Sequence, residues 1–331
     1  MNKVIKFLVS LLVLTIVAIL LTNLTRMTEE ETVNNMFMEQ IENDCFIDLS
    51  EILELPPVAL SFGEHSYQTK QGTKVAPTAI GTYGNFSFIQ APPKTMKTFF
   101  ISLLASVYVS PTGSNKFGGK LKGHRGDKCV IHFDTEQGKF HAQRVFKRVI
   151  DMNEDSDVGC YDTFGLRAIG YKTRVEFIEY YLQKTVDSGN EVGLVVIDGI
   201  ADLVSDVNNL EEANLCVQRV MEWSSKFNCH IVTVIHSNFG SDKPTGNLGS
   251  LLEKKAETQI QLEKNTVNEG WVTVSCKRSR GYSFETFSFK VNELGYPVMV
   301  DDLYDPLADI PHERSSVENP KTSKWKQQKA F

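Results

Sequence analysis

Residues 84–102 constrain the fold of this chain more than any other stretch. Phe86-Ser87-Phe88-Ile89 is a short apolar run of the kind that forms a buried strand, and from Thr98 the apolar positions recur with helical spacing. Between them lies a polar turn with two prolines, Ala91-Pro92-Pro93-Lys94-Thr95-Met96-Lys97-Thr98. The order is strand, loop, helix.

The octamer lies in register with the phosphate-binding pattern G-x-x-x-x-G-K-[ST], matching at Lys97 and Thr98 and departing at Ala91 and Met96. In such a loop successive backbone N–H groups and the helix N-terminus form a positive concavity for phosphate. Lys97 would reach the β/γ-phosphates, and the Thr98 hydroxyl would complete a Mg²⁺ shell. Pro93, Lys94, Thr95, Met96, Lys97, Thr98 and Phe99 are therefore the candidate nucleotide-binding residues. Glycine serves the backbone turn, so Ala91 and Met96 are compatible only if neither position needs a strongly positive φ. The competing reading is a Pro-Pro turn with two solvated lysines.

Composition decides the class around this stretch. A chain of 331 residues, 41% hydrophobic and 23% charged, is long enough for one large or two small globular domains with a sizeable core. Its net charge of −6 gives no global basic footprint, so any nucleic-acid contact must come from local patches. Cysteines at 45, 129, 160, 216, 229 and 276 show no C-x-x-C spacing. They read as buried, reduced thiols of a cytoplasmic protein rather than a disulfide framework or zinc site.

The N-terminus argues against that compartment. Residues 4–24 are almost continuously apolar behind Lys3, barely reaching the ~20 residues that span a bilayer, and Glu29, Glu30 and Glu31 follow. The positive-inside rule would put the rest of the chain outside the cytoplasm, where ATP is absent. Either residues 1–26 are a membrane anchor inserted against the charge rule, or they are upstream sequence read from an early start, with Met27 as the beginning. Residues 27–60 read as an acidic arm, 61–300 as the main domain and 301–331 as a polar, disordered tail. Lys321, Lys324, Trp325, Lys326 and Lys329 leave open a nucleic-acid tether in that tail.

Three more apolar strands end in polar residues. Cys129–Phe133 runs into Asp134-Thr135-Glu136-Gln137, on the edge where open α/β sheets place ligands. Glu136 suits a base that orients water at a γ-phosphate; the alternative is a helix-capping cluster. A strand at 164–169 and a helix at 173–188 follow, the helix with Val175, Ile178, Tyr181, Leu182 and Val186 inward. Gly193–Ile197 ends in Asp198, the form of a Walker B strand whose carboxylate holds Mg²⁺ through water. Ile231–Ile235 ends in His236, either a sensor of the γ-phosphate or a histidine satisfied by backbone. The glycine-punctuated residues 240–250 read as a mobile loop. Lys277-Arg278-Ser279-Arg280, at a strand end, are either a solvated turn or cations facing a phosphate.

In this order the motifs resemble those of RecA-like P-loop ATPases, above all the DnaB-like and plasmid RepA-like hexameric replicative helicase branch of mobile elements and phages. The resemblance covers about residues 55–300. It implies a three-layer α/β/α fold with a mainly parallel central sheet and antiparallel C-terminal strands. It also implies ATP and Mg²⁺ on Lys97, Thr98 and Asp198, with Glu136 as catalytic base and His236 as sensor. Residues 239–250 would face single-stranded DNA in the channel of a homo-hexamer, and Arg278 or Arg280 would serve the neighbour's ATP. The implied function is a cytoplasmic helicase-type motor. The missing glycines keep a second function open, a nucleotide-binding regulatory or assembly ATPase with little turnover.

Overall fold

The structure, a computed structural model, describes residues 2–51, 54–110, 119–153, 157–238 and 241–300. These fall into two compact units that divide between Leu55 and Pro56. The first contains helix α1 (Asn2–Cys45), which runs without interruption through Met27. Among the described residues no helix is long and apolar enough to cross a membrane.

The second unit begins with the hairpin β1 (Val58–Thr69) and β2 (Gly72–Thr82), followed by β3 (Phe86–Ala91), α2 (Lys97–Val109), β4 (Leu121–Gly123), β5 (Cys129–Asp134) and α3 (Lys139–Asp151). Then come β6 (Tyr161–Gly165), α4 (Tyr171–Asp187), β7 (Val192–Asp198), α5 (Leu210–Lys226), β8 (His230–His236) and α6 (Gly246–Lys255). Strands β9 (Thr258–Lys264), β10 (Trp271–Ser279), β11 (Phe287–Val291) and β12 (Pro297–Val300) close the described chain. A nine-stranded sheet has the order β12-β11-β10-β9-β3-β8-β7-β5-β6, and β2-β1-β4 form a small second sheet. The strands from β9 to β6 are parallel, and β10, β11 and β12 extend the sheet antiparallel.

Strands β3, β5 and β7 are buried at every residue, which is why they read as unbroken apolar runs. Their alternation still sorts side chains into two layers. Ile89, Val130, Leu194, Val196, Val232 and Val234 pack with α2 and the small sheet, while Phe88, Ile131, Phe133, Val195, Ile197 and Ile231 pack with α4, α5 and α6. The expected three-layer α/β/α fold is present.

Four local expectations are corrected. The strand expected at 164–169 is β6, Tyr161–Gly165; as the outermost strand it need not be apolar, so its pattern was faint. The inner line of α4 is Val175, Ile178, Leu182 and Thr185, whereas Val186 is 41% exposed. The stretch expected as a mobile loop becomes helix α6 from Gly246 onward, and residues 239–240 lie outside the described residues. Its glycines serve packing: Gly246 has φ +69°, and a Cβ on Gly249 would meet the Pro244 backbone at 2.6 Å. The reduced-thiol expectation fails at Cys129 and Cys160, which form a disulfide between the start of β5 and the residue before β6. Those strands are paired neighbours, so two cysteines 31 apart in sequence have Cα atoms 4.8 Å apart. Residues 301–331, with the cations around Trp325, lie outside the described residues.

Candidate nucleotide-binding site

Parallel pairing gathers the ends of β3, β8, β7 and β5 on one edge. Ala91 pairs with His236 and Asp134 with Asp198, so four polar strand ends meet where the loop to α2 begins. Ala91 needs no glycine, because it is the last residue of an extended strand. Met96 does take the left-handed conformation, with φ 55° and ψ 29°, and Lys94 has φ 61°. The condition set by the sequence therefore fails at Met96, where a side chain occupies backbone space that costs an L-residue about 1–2 kcal/mol. The Met96 carbonyl accepts from the N–H groups of Phe99 and Phe100, and its side chain packs against the core. Those contacts hold the turn that glycine would adopt freely. The N–H groups of the first turn of α2 have no intrahelical partner and lie at the floor of the cleft.

Lys94 is exposed and Lys97 is buried, which excludes a turn with two solvated lysines. The Lys97 ammonium donates to the Pro92 carbonyl at 3.2 Å and to His236 Nδ1 at 3.0 Å. An ammonium cannot accept, so Nδ1 is the acceptor and Nε2 carries the proton toward Glu136 Oε1, 3.4 Å away. Side-chain contacts on both ring nitrogens replace the expected alternative of a histidine satisfied by backbone. Burial pushes the Lys97 pKa down, against the pull of Glu136 and Asp198. The hydrogen bond from His236 holds Glu136 below the usual carboxylate range.

Two carboxylates complete the floor. Asp134 accepts from the backbone N–H groups of Glu136 at 3.1 Å and Gln137 at 2.8 Å, and from the Gln137 amide at 2.9 Å. The capping alternative thus belongs to Asp134, leaving Glu136 free to face the cleft. Thr98 donates to Asp198 Oδ2 at 3.2 Å. Burial first, then the charges of Asp134 and Glu136, push the Asp198 pKa up to about 7. A buried carboxylate beside two others, with one hydroxyl for a partner, suits a divalent cation, whose charge would restore its acidity. Among the described residues no cluster of three or more His, Cys, Asp or Glu is arranged to hold a metal. That agrees with Mg²⁺, which is bound through one or two protein oxygens plus phosphate and water.

A cavity of about 520 Å³ opens above this floor, lined by Lys94 to Phe99, Glu136, Gln137 and His236. Its other wall is α3, with His141, Arg144 and Arg148, which sequence reasoning missed. Their spacing of three and four places them on one helical face, the signal that was available. Arg148 lies 4.0 Å over the Phe99 ring and donates to Ser102 Oγ at 3.1 Å. Burial and the neighbouring Arg144 both push the Arg148 pKa down. Neither arginine is ion-paired to a carboxylate among the described residues, so the wall presents unneutralised positive charge.

Arg278 and Arg280 are not brought into this cleft. Lys277, Arg278 and Ser279 lie inside β10, not at its end as expected. Arg278 pairs with Gln259, which pairs with Phe88; the Arg280 N–H binds the Glu257 carbonyl, whose own N–H binds Phe86. Both arginines thus stand level with the first half of β3, while the cleft follows its far end. Arg280 donates to the Lys255 carbonyl at 2.6 Å, and Arg278 lies 3.9 Å from Glu253.

Fold and strand-end arrangement define a RecA-like P-loop ATPase domain. A family model described as an AAA domain matches residues 80–242, just under half of the chain and spanning the phosphate loop, Glu136, Asp198 and His236. The solved ATPase domain of a DnaB-like helicase is similar at a TM-score of 0.50 with 18% identity, over 67% of this chain and 87% of that one. The crystal structure of the RadB recombinase is similar at a TM-score of 0.45 with 18% identity, over 66% of this chain and 92% of that one. No curated protein sequence matches the chain significantly.

Proposed function

We propose that residues 61–300 bind ATP with Mg²⁺ and hydrolyse it in a cytoplasmic motor acting on DNA, of the replicative or mobile-element helicase type. The observation that carries this reading is the chain of contacts from Lys97 through His236 to Glu136, set beside Thr98 and Asp198. Without nucleotide, Lys97 and Glu136 engage His236 between them. Phosphate oxygens would replace Pro92 and His236 as acceptors for Lys97, leaving His236 to report the γ-phosphate and Glu136 to orient and deprotonate the attacking water. Mg²⁺, held by Thr98 and through water by Asp198, would neutralise charge on the β- and γ-oxygens.

The unit is a homo-oligomer, a hexameric ring in this reading. Arg278 and Arg280 stand too far from their own cleft, so a neighbour's cleft is where either would stabilise charge on the transferred phosphoryl group. Residues 239–250 would then meet single-stranded DNA. A second reading, an assembly or regulatory ATPase with little turnover, is favoured by the strained Met96 in a glycine position.

ATP turnover measured with and without single-stranded DNA separates the two. The motor requires hydrolysis that rises with DNA and is abolished in Lys97→Ala. The regulator requires ATP-dependent assembly with turnover that DNA leaves unchanged. Mixing Arg280→Ala with Lys97→Ala, each inactive alone, should restore part of the activity; co-assembled mixtures that stay inert would remove Arg280 from the site.

A further inference from the structure

The β1–β2 hairpin extends beyond the sheet that holds it. Strand β4 pairs with β1 only from Leu60 to Phe62, so from Glu64 to Val75 the hairpin continues as a two-stranded ribbon. Directly opposed residues share a face. One face carries Glu64, Ser66 and Gln68 opposite Pro77, Val75 and Thr73; the other carries His65, Tyr67 and Thr69 opposite Ala76, Lys74 and Gly72. Both rings of the ribbon and a lysine therefore share one face. Its one acid, Glu64, is on the opposite face, 3.7 Å from Lys122.

The connection from β10 to β11 adds a third ring to that face. Tyr282 stacks on His65 with centroids 3.8 Å apart and planes 25° apart, and His65 lies 6.0 Å from Tyr67. Tyr282 remains 55% exposed. Three rings thus run in a row that ends across the strand from Lys74. None of the four lines the nucleotide cleft.

Single exposed aromatic residues need no explanation, but a row of rings flanked by an unpaired cation matches a specific chemistry. Unpaired bases stack on exposed rings without regard to sequence, and lysine meets the phosphates between them. Rings at alternate positions of a strand suit successive splayed bases. Duplex bases have no free faces to offer. With a net charge of −6 on the whole chain, such binding would be local and sensitive to salt. We propose that the Tyr282, His65 and Tyr67 face of the β1–β2 hairpin docks single-stranded nucleic acid.

Fluorescence anisotropy of labelled oligo(dT) and oligo(rU), titrated with the full chain without nucleotide, tests this. Wild type should bind one or both, the comparison telling DNA from RNA, and duplex should compete poorly. Tyr67→Ala with Tyr282→Ala should weaken binding by roughly 25-fold or more, about fivefold for each ring, with ATP turnover in the absence of DNA unchanged. Tyr282→Phe keeps the ring and should keep the affinity. Lys74→Ala should lower the salt slope by about 0.7. If the double alanine variant does not fold, Tyr67→Ser with Lys74→Glu carries the test, with the same loss expected. Lys97→Ala should bind oligonucleotide like wild type, so failure of the ATPase reading leaves this result readable. Undiminished affinity in a folded ring-less variant, equal competition by duplex, or no single-strand binding by wild type would each overturn the proposal.

Discussion

Asp198→Asn exposes what the fold sacrifices to keep a carboxylate under Thr98. Burial first, and Asp134 and Glu136 second, raise the Asp198 pKa from 3.8 to about 7. Between those values the folded protein holds a proton that the unfolded chain has released. Stability from this group is therefore fully present below about pH 3.8 and is lost as pH rises through about 7. At about 1.36 kcal/mol per unit, a shift of roughly three units amounts to ~4 kcal/mol, of which ~2–3 kcal/mol falls between pH 5 and pH 8. Asparagine keeps the shape, can still accept from Thr98 and does not titrate. Urea unfolding of both proteins at pH 5 and pH 8, without nucleotide or Mg²⁺, measures the difference. Wild type should lose ~2–3 kcal/mol relative to the variant over that interval, and the variant should be the more stable protein at pH 8 while having no turnover. Asp134, Glu136 and Lys97 titrate in both proteins, so they largely cancel. Parallel pH dependences would refute the buried, unneutralised state of Asp198.

Three further outcomes follow from the same geometry. Glu136→Gln keeps the shape and removes the basicity, so turnover should fall ~10²-fold or more with ATP affinity nearly unchanged; unaltered hydrolysis would pass the role to another group. Met96→Gly releases about 1–2 kcal/mol of left-handed strain against ~0.5–1 kcal/mol of chain entropy and the lost core contact, leaving thermal stability within ~1 kcal/mol of wild type. Met96→Ile, β-branched in the same conformation, should cost ~1–3 kcal/mol, and a tolerated isoleucine would show that the turn is not left-handed. Reducing Cys129–Cys160, which closes a loop of 31 residues, should lower unfolding free energy by about 3–4 kcal/mol, while Cys129→Ser/Cys160→Ser should make stability indifferent to reductant.

The sequence by itself carried the order of the central strands' polar ends. Strands β3, β5, β7 and β8 are covered on both faces, so each must be a continuous apolar run, and each run stops where the sheet meets solvent, at Lys97 and Thr98 beyond the loop, Glu136, Asp198 and His236. The edge strand β6 lacks that double cover, and its boundaries were accordingly missed. What only the tertiary structure decided are relations across strands. The left-handed Met96 is set by packing that no octamer pattern contains. Whether Lys97 is solvated depends on β8 bringing His236 to it. The α3 wall of His141, Arg144 and Arg148 became part of the cleft only when the helix was laid against the phosphate loop. Cys129 and Cys160 read as separate thiols until β5 and β6 paired. Separation along the chain carries no distance, and a hydrogen bond, a disulfide or a pKa is a matter of distance.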